Sequence, residues 1–136
     1  MVKYRHRLNK PMVMALSKMY GLHRQNPCLI SEIGLSHSQI CNFQKLRYWG
    51  IIAKFKDNEG DRKGGTWFIT NLGANFLLGR IKLSLRVWSW RGEKTEEESE
   101  QVSIFQVDAG YQYRPEWIEE AESIDEPQTR IGRFEG

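Results

Sequence analysis

Polar and apolar positions divide the chain into short segments whose period changes at glycines. Val13, Leu16 and Tyr20 recur three and four residues apart, with Met12 and Met19 beside them, which predicts a helix from about Lys10 to Tyr20. Asn9 is placed to cap it, Pro11 suits its first turn, and Gly21 supplies a stop. Asn26 and Pro27 signal a second start, leading a short helix through Leu29, Ile30 and Ile33 to Gly34. Ser36-His-Ser-Gln39 has the form of a capping box, so a third helix is expected from His37 to about Trp49, stopped by Gly50. Helix, glycine turn and capped helix in this compass make a helix-turn-helix pattern.

After Gly50 the period shortens. Ile51 to Phe55 and Thr66 to Ile69 read as strands around the polar turn Lys56 to Gly65, and together predict a hairpin. Thr70 caps a short helix carrying Leu72, Phe76 and Leu77, which ends near Gly79. Ile81, Leu83, Leu85 and Val87 alternate with Lys82, Ser84, Arg86 and Trp88, as in a half-buried strand. Its partner is expected at Val102 to Val107, across an acidic loop from Arg91 to Glu100. Pro115 starts a small helix with Trp117 and Ala121 one turn apart. Residues 1–8 are basic and expected to fray, and the composition from Ser123 onward predicts a disordered tail. The expected fold class is α+β: a winged helix-turn-helix over residues 9–79, a β-hairpin and helix extension packed on it over 80–122, and a disordered acidic tail over 123–136.

Composition narrows the functional classes. With 40% hydrophobic residues, including five Trp, six Phe and five Tyr, the 136 residues hold enough apolar side chain for one core. The basic N-terminal stretch is broken by Ser and Lys, unlike a signal peptide, and no segment has the length to span a bilayer. Cys28 and Cys41 do not make a disulfide framework. The net charge of +3 conceals an asymmetry: residues 1–94 hold 17 Lys and Arg against 5 Asp and Glu, a net +12, while residues 95–136 hold 3 against 12, a net −9. A basic body suits a polyanion, and an acidic end suits shielding of that surface or a protein partner.

The run from Leu35 to Ile52 resembles the recognition helix and exit of winged-helix regulators of the MarR type. The shared features are a Ser-capped start, a core Leu at 46, and Gly50 followed by the aliphatics Ile51 and Ile52. The similarity continues through Gly60-Asp-Arg62 in the wing and through Ile69-Thr70-x-x-Gly73, and covers about a third of the chain. MarR regulators dimerise through helices at both ends, whereas strands follow the wing here, so dimerisation and ligand sensing are not carried over. The chain as a whole is similar to a group of phage and prophage winged-helix proteins, which share the Lys45-to-Gly50 run and the Gly65-to-Gly73 wing. The resemblance implies a DNA-binding regulator, in the cytoplasm of a bacterial host if phage-encoded.

The residues themselves point to double-stranded DNA. On a helical wheel Ile40, Phe43 and Leu46 share one side of the third helix. Opposite lie His37, Ser38, Cys41, Lys45 and Tyr48, flanked by Asn42 and Gln44. In a major groove Asn or Gln pairs with adenine, Lys with guanine, and Ser with either kind of group. An ordinary solvated helix face has the same polarity, so the pattern alone does not decide. Lys54, Lys56, Arg62 and Lys63 of the wing are placed for phosphates, although Asp57, Glu59 and Asp61 cancel much of their charge. Lys3, Arg5, Arg7 and Lys10 make a basic arm for the backbone.

The rival reading is a protein-binding inhibitor of a host nucleic-acid machine, anti-CRISPR-like, acting through Glu96, Glu97, Glu98 and Glu100. No catalytic motif is present and no cofactor is expected. His23, Cys28, His37 and Cys41 are a zinc donor set in an unusual order, and structural use without metal is the expectation. Replacing Lys45 and Arg62 together with Ala is expected to weaken DNA binding and flatten its salt dependence, as read by a mobility shift at several salt concentrations. Unchanged affinity and slope would count against this surface.

Overall fold

The computed structural model describes residues 3–55 and 66–120. Asn9 starts the first helix, α1 (Lys10–His23), by accepting a hydrogen bond from the Met12 N–H at 3.0 Å. The helix runs through Gly21 instead of stopping there, because its end is held from outside. Arg24 turns out of the helix at φ 54° and donates its guanidinium to the carbonyls of Tyr20 and Gly21 at 3.1 and 3.0 Å. A cation over the last carbonyls also suits the helix dipole.

The Asn26-Pro27 signal does not begin a helix. Cys28–Leu29 form strand β2, followed by a 3₁₀ turn over Ile30–Ile33. Pairing across the chain, Cys28 opposite Trp67 and Leu29 opposite Thr66, overrides the local start signal. The capping box does form: Ser36 Oγ accepts from the Gln39 N–H at 3.2 Å, and Gln39 Oε1 accepts from the Ser36 N–H at 2.8 Å. It opens α2 (His37–Gln44), which tightens into a 3₁₀ helix over Lys45–Trp49 and ends at Gly50, whose φ of 77° suits glycine.

Strands β3 (Ile52–Phe55) and β4 (Thr66–Ile69) pair antiparallel, with Ile52 opposite Ile69, and β2 completes a sheet in the order β2-β4-β3. Thr70 then caps α3 (Asn71–Leu77) by accepting from the Gly73 N–H at 3.1 Å, while its hydroxyl donates to the Gly50 carbonyl at 2.7 Å. One side chain thus joins the exit of the 3₁₀ helix to the start of the next helix.

The C-terminal part differs from the expectation. The alternating stretch is bent at Leu85 into β5 (Leu83–Ser84) and β6 (Arg86–Trp90). The partner of β6 is the acidic segment itself, β7 (Glu93–Glu97), and not Val102 to Val107. Arg91 and Gly92, at φ 52° and 79°, make the two-residue turn that antiparallel twist favours. The other edge of β6 is occupied by β1 (Tyr4–Arg7), so this part of the N-terminus is a strand in the sheet β1-β6-β7. β8 (Gln101–Val102) pairs with β5, and a second Ser-x-x-Gln capping box, Ser103 with Gln106, turns Ile104–Val107 into the short helix α4. Pro115–Glu120 form α5, as the proline signal implied. The expected disordered tail lies outside the described residues.

The described residues therefore have an α+β architecture of helices and small antiparallel sheets, with a hydrophobic cluster running from Leu8 to Trp117. Beyond the β1–β6 pairing, side-chain contacts bind the C-terminal elements to the rest. Trp49 Nε1 donates to the Ser84 carbonyl at 2.6 Å in a buried setting, and the Tyr111 hydroxyl donates to the Leu77 carbonyl at 2.6 Å. Trp117 meets Tyr20 edge to face at 4.8 Å between ring centroids. No described helix is long and apolar enough to cross a membrane.

Gly73 gives a sharp test of this packing. Helix propensity alone favours Gly73→Ala by about 1 kcal/mol. A Cβ at this position would overlap the backbone carbonyl of Ile51 and lie 2.9 Å from Ile69 Cγ2. The variant is therefore expected to lose about 1–3 kcal/mol in urea denaturation. A gain in stability would contradict the packing.

Candidate nucleic-acid interface

With Ser36 as its cap, α2 buries Phe43 and leaves Ile40 half-buried, and the 3₁₀ helix that follows buries Leu46. His37, Ser38 and Cys41 are exposed on its other side, and Asn42, Gln44 and Lys45 are half-exposed. The wheel placed these residues together, and the structure keeps them on one surface. Lys45 Nζ donates to Asn42 Oδ1 at 3.3 Å, and Cys41 Sγ lies 3.8 Å from His37 Nε2. No Asp or Glu occurs between Ile33 and Phe55, so every charged side chain that this stretch itself contributes is basic.

Tyr48 corrects the wheel. It is buried at 8% exposure, not presented to a groove. The reason is β1, which covers this side of the 3₁₀ helix: the His6 ring stacks on Tyr48 at 4.8 Å and 15°. His6 Nε2 also lies 2.6 Å from Ser89 Oγ, which ties β1 to β6 beneath the stack.

Arg47 is the residue the sequence reasoning missed. It is exposed, and its guanidinium is held in place by donating to the Gln44 carbonyl at 2.9 Å and to the Tyr48 hydroxyl at 2.8 Å. It lies 4.5 Å from the centre of the Tyr48 ring, a cation–π geometry. The only sequence signal was a second cation two positions after Lys45. The tightening to 3₁₀ that brings it beside the hairpin has no local signature. A cleft of about 430 Å³ between this helix and the hairpin is lined by Gln44, Arg47, Lys54 and Trp67. Lys54 is exposed on β3, with its ammonium 5.8 Å from the Trp67 ring centre. The remaining wing cations, Lys56, Arg62 and Lys63, lie outside the described residues.

The expected basic arm is a correction as well. Arg5 and Arg7 belong to β1, and Arg5 forks onto Glu98 through Nε at 2.9 Å and a terminal nitrogen at 3.0 Å. The guanidinium holds the Glu98 carboxyl below its ordinary range. Lys3 pairs with Glu96 at 3.1 Å, Arg86 with Glu100 at 3.0 Å and Lys94 with Glu97 at 2.8 Å. Lys3 and Arg5 of the basic arm and the acidic segment, read as two binding surfaces, meet each other across one sheet. Such exposed pairs stabilise by little, but they lower the charge that either side presents.

No group of three or more metal donors gathers among the described residues. His23 ends α1 and Cys28 is buried in β2, apart in the fold from the exposed His37–Cys41 pair on α2. Burial pushes the Cys28 thiol up, which suits packing more than ligation. Compared with family models, curated proteins and solved structures, the chain matches none.

His6 generates a pH prediction. Burial lowers its pKa first, and the nearby charges of Lys45 and Arg47 lower it further. Below its ordinary value of 6.5 the unfolded chain takes up a proton that the folded chain resists, so stability falls as pH drops. The melting temperature of the wild type is expected to fall from about pH 7.5 to about pH 5.5. His6→Phe keeps a ring against Tyr48 and should flatten that difference. An equal fall in the variant would remove His6 as the cause.

Proposed function

We propose that this chain is a winged-helix DNA-binding protein that places α2 in the major groove and the β3–β4 hairpin along the sugar–phosphate backbone. The observation that carries the reading is the continuity of the α2 polar face with the cationic cleft. His37, Ser38, Asn42 and Lys45 lie on a helix that leads directly to Arg47, and Arg47 shares a cleft with Lys54 of the hairpin. Base-reading side chains on a helix beside backbone-neutralising cations are the two components that specific duplex recognition needs. The order β2-β4-β3 behind the capped helix supports the winged-helix assignment.

A regulator of transcription, of the phage or prophage kind, is the plain form of this role. The rival role of an inhibitor acting through the acidic segment gains no support from geometry. Glu96, Glu97, Glu98 and Glu100 each hold a cation of the same chain.

The test is fluorescence polarisation against random-sequence duplex at several salt concentrations. Each phosphate contact contributes about 0.9 to the salt slope, so Arg47→Ala with Lys54→Ala should lower it by about two and weaken binding. A double variant with wild-type affinity and slope would overturn the proposal.

A further inference from the structure

The candidate donors His23, Cys28, His37 and Cys41 do not gather within one chain, but two of them form a pair on the surface. His37 and Cys41 stand one helical turn apart on α2, at positions that share a face. Both are exposed, and His37 Nε2 lies 3.8 Å from Cys41 Sγ. A tetrahedral zinc ion bonded to a nitrogen at about 2.0 Å and a sulfur at about 2.3 Å holds the two about 3.5 Å apart. The pair therefore stands close to the spacing of a chelate. Closing on an ion needs small side-chain torsions and no change of helix backbone.

The helix also orders the pair in advance. Ser36 and Gln39 cap the turn in which His37 stands, and Lys45 on the same face directs its ammonium to Asn42. Two donors fill half of a zinc ion's coordination, and among the described residues no third donor joins them. The same pair from a second copy would complete the set with two nitrogens and two thiolates, the composition of a closed structural site. Two-fold symmetry brings identical faces together in this way. Two thiolates also cancel the charge of the ion, which matters on a face that carries Lys45 and leads to Arg47.

We propose that His37 and Cys41 are a zinc half-site, and that one Zn²⁺ joins two copies of this chain through α2. The proposal does not depend on the DNA-binding reading, although the ion would sit on the face proposed to meet DNA. The ordinary alternative is a weak thiol–imidazole contact between helix neighbours.

The experiment titrates the reduced full chain with Co²⁺, whose tetrahedral thiolate complexes absorb in the visible and near ultraviolet. Sedimentation with Zn²⁺ follows, at moderate salt, where repulsion between two basic faces is screened. The wild type should show thiolate-to-cobalt absorption that saturates at one ion for two chains. Its mass should double with Zn²⁺ relative to the EDTA-treated chain and return when EDTA is added. His37→Ala and Cys41→Ser should each raise the half-saturating cobalt concentration by more than about tenfold, since even residues behind the ligands are worth that much. Each should also abolish the doubling, while His23→Ala behaves as the wild type. Circular dichroism confirms that each variant is folded. The half-site is overturned by absence of thiolate–cobalt absorption or by unchanged binding in His37→Ala and Cys41→Ser. Saturation at one ion per chain, or a mass that zinc and EDTA leave unchanged, overturns the joining of two copies.

Discussion

The indole of Trp49 donates its N–H to the Ser84 carbonyl at 2.6 Å, and that buried contact fixes where the helical segment ends relative to the C-terminal strands. A buried indole N–H without a partner costs about 1–3 kcal/mol, so the 3₁₀ helix cannot rotate away from Ser84 cheaply. Gly50 follows at once in a left-handed conformation, and its carbonyl is taken by Thr70, which caps α3. Trp49, Gly50 and Thr70 thereby hold α2, the hairpin and α3 in one frame. The orientation of the α2 polar face depends on that frame, and so does the meeting of Arg47 with Lys54.

Charge distribution makes the same point from the surface. By composition alone, the chain offers a basic body and an acidic end as two separate partners for other molecules. In the folded chain β1 lies against β6, and the carboxylates of β7 and the residues after it reach the cations of β1 and β6. Individually these pairs are exposed and weak, but they face one another on one sheet. Positive charge outside these ion pairs is left at Lys45 and Arg47, beside the face that carries His37 and Ser38, with Glu93 and Lys94 of β7 lining a pocket on the far side of Arg47. The sheet in turn orders His6 against Tyr48, and Tyr48 holds the Arg47 guanidinium. The N-terminal strand thus contributes to the site by packing behind it.

Features set by local chemistry were legible in the sequence. Asn9, Ser36 and Thr70 each cap the helix they were expected to cap, because a cap needs only a side-chain oxygen two or three residues before the N–H it accepts from. The β3–β4 pairing followed from two short β-prone runs around a polar turn. Features that depend on distant partners were not legible. β1 has no apolar alternation and is a strand because β6 pairs with it, and Glu93–Glu97 is a strand because Arg91-Gly92 folds it back. Tyr48 left the predicted surface for the same reason, since what buries it begins about forty residues earlier in the chain. One local signal was overlooked. Ser103 and Gln106 form the same box as Ser36 and Gln39, but the apolar positions Val102, Ile104 and Val107 suggested a strand. Arg47 was missed because helical-wheel spacing assumes 3.6 residues per turn, and the segment from Lys45 onward is wound more tightly.

In the proposed DNA-binding role, the surface formed by α2 and the cationic cleft, and not the ion-paired sheet, meets the duplex. Backbone amide chemical shifts of the nitrogen-15-labelled chain, followed during titration with a short duplex, test it directly. The largest changes are expected at His37 to Lys45, at Arg47 and at Lys54, with small ones at Arg5, Glu96 and Glu98. Changes confined to the ion-paired sheet, or a spectrum unmoved by duplex at low salt, would contradict it.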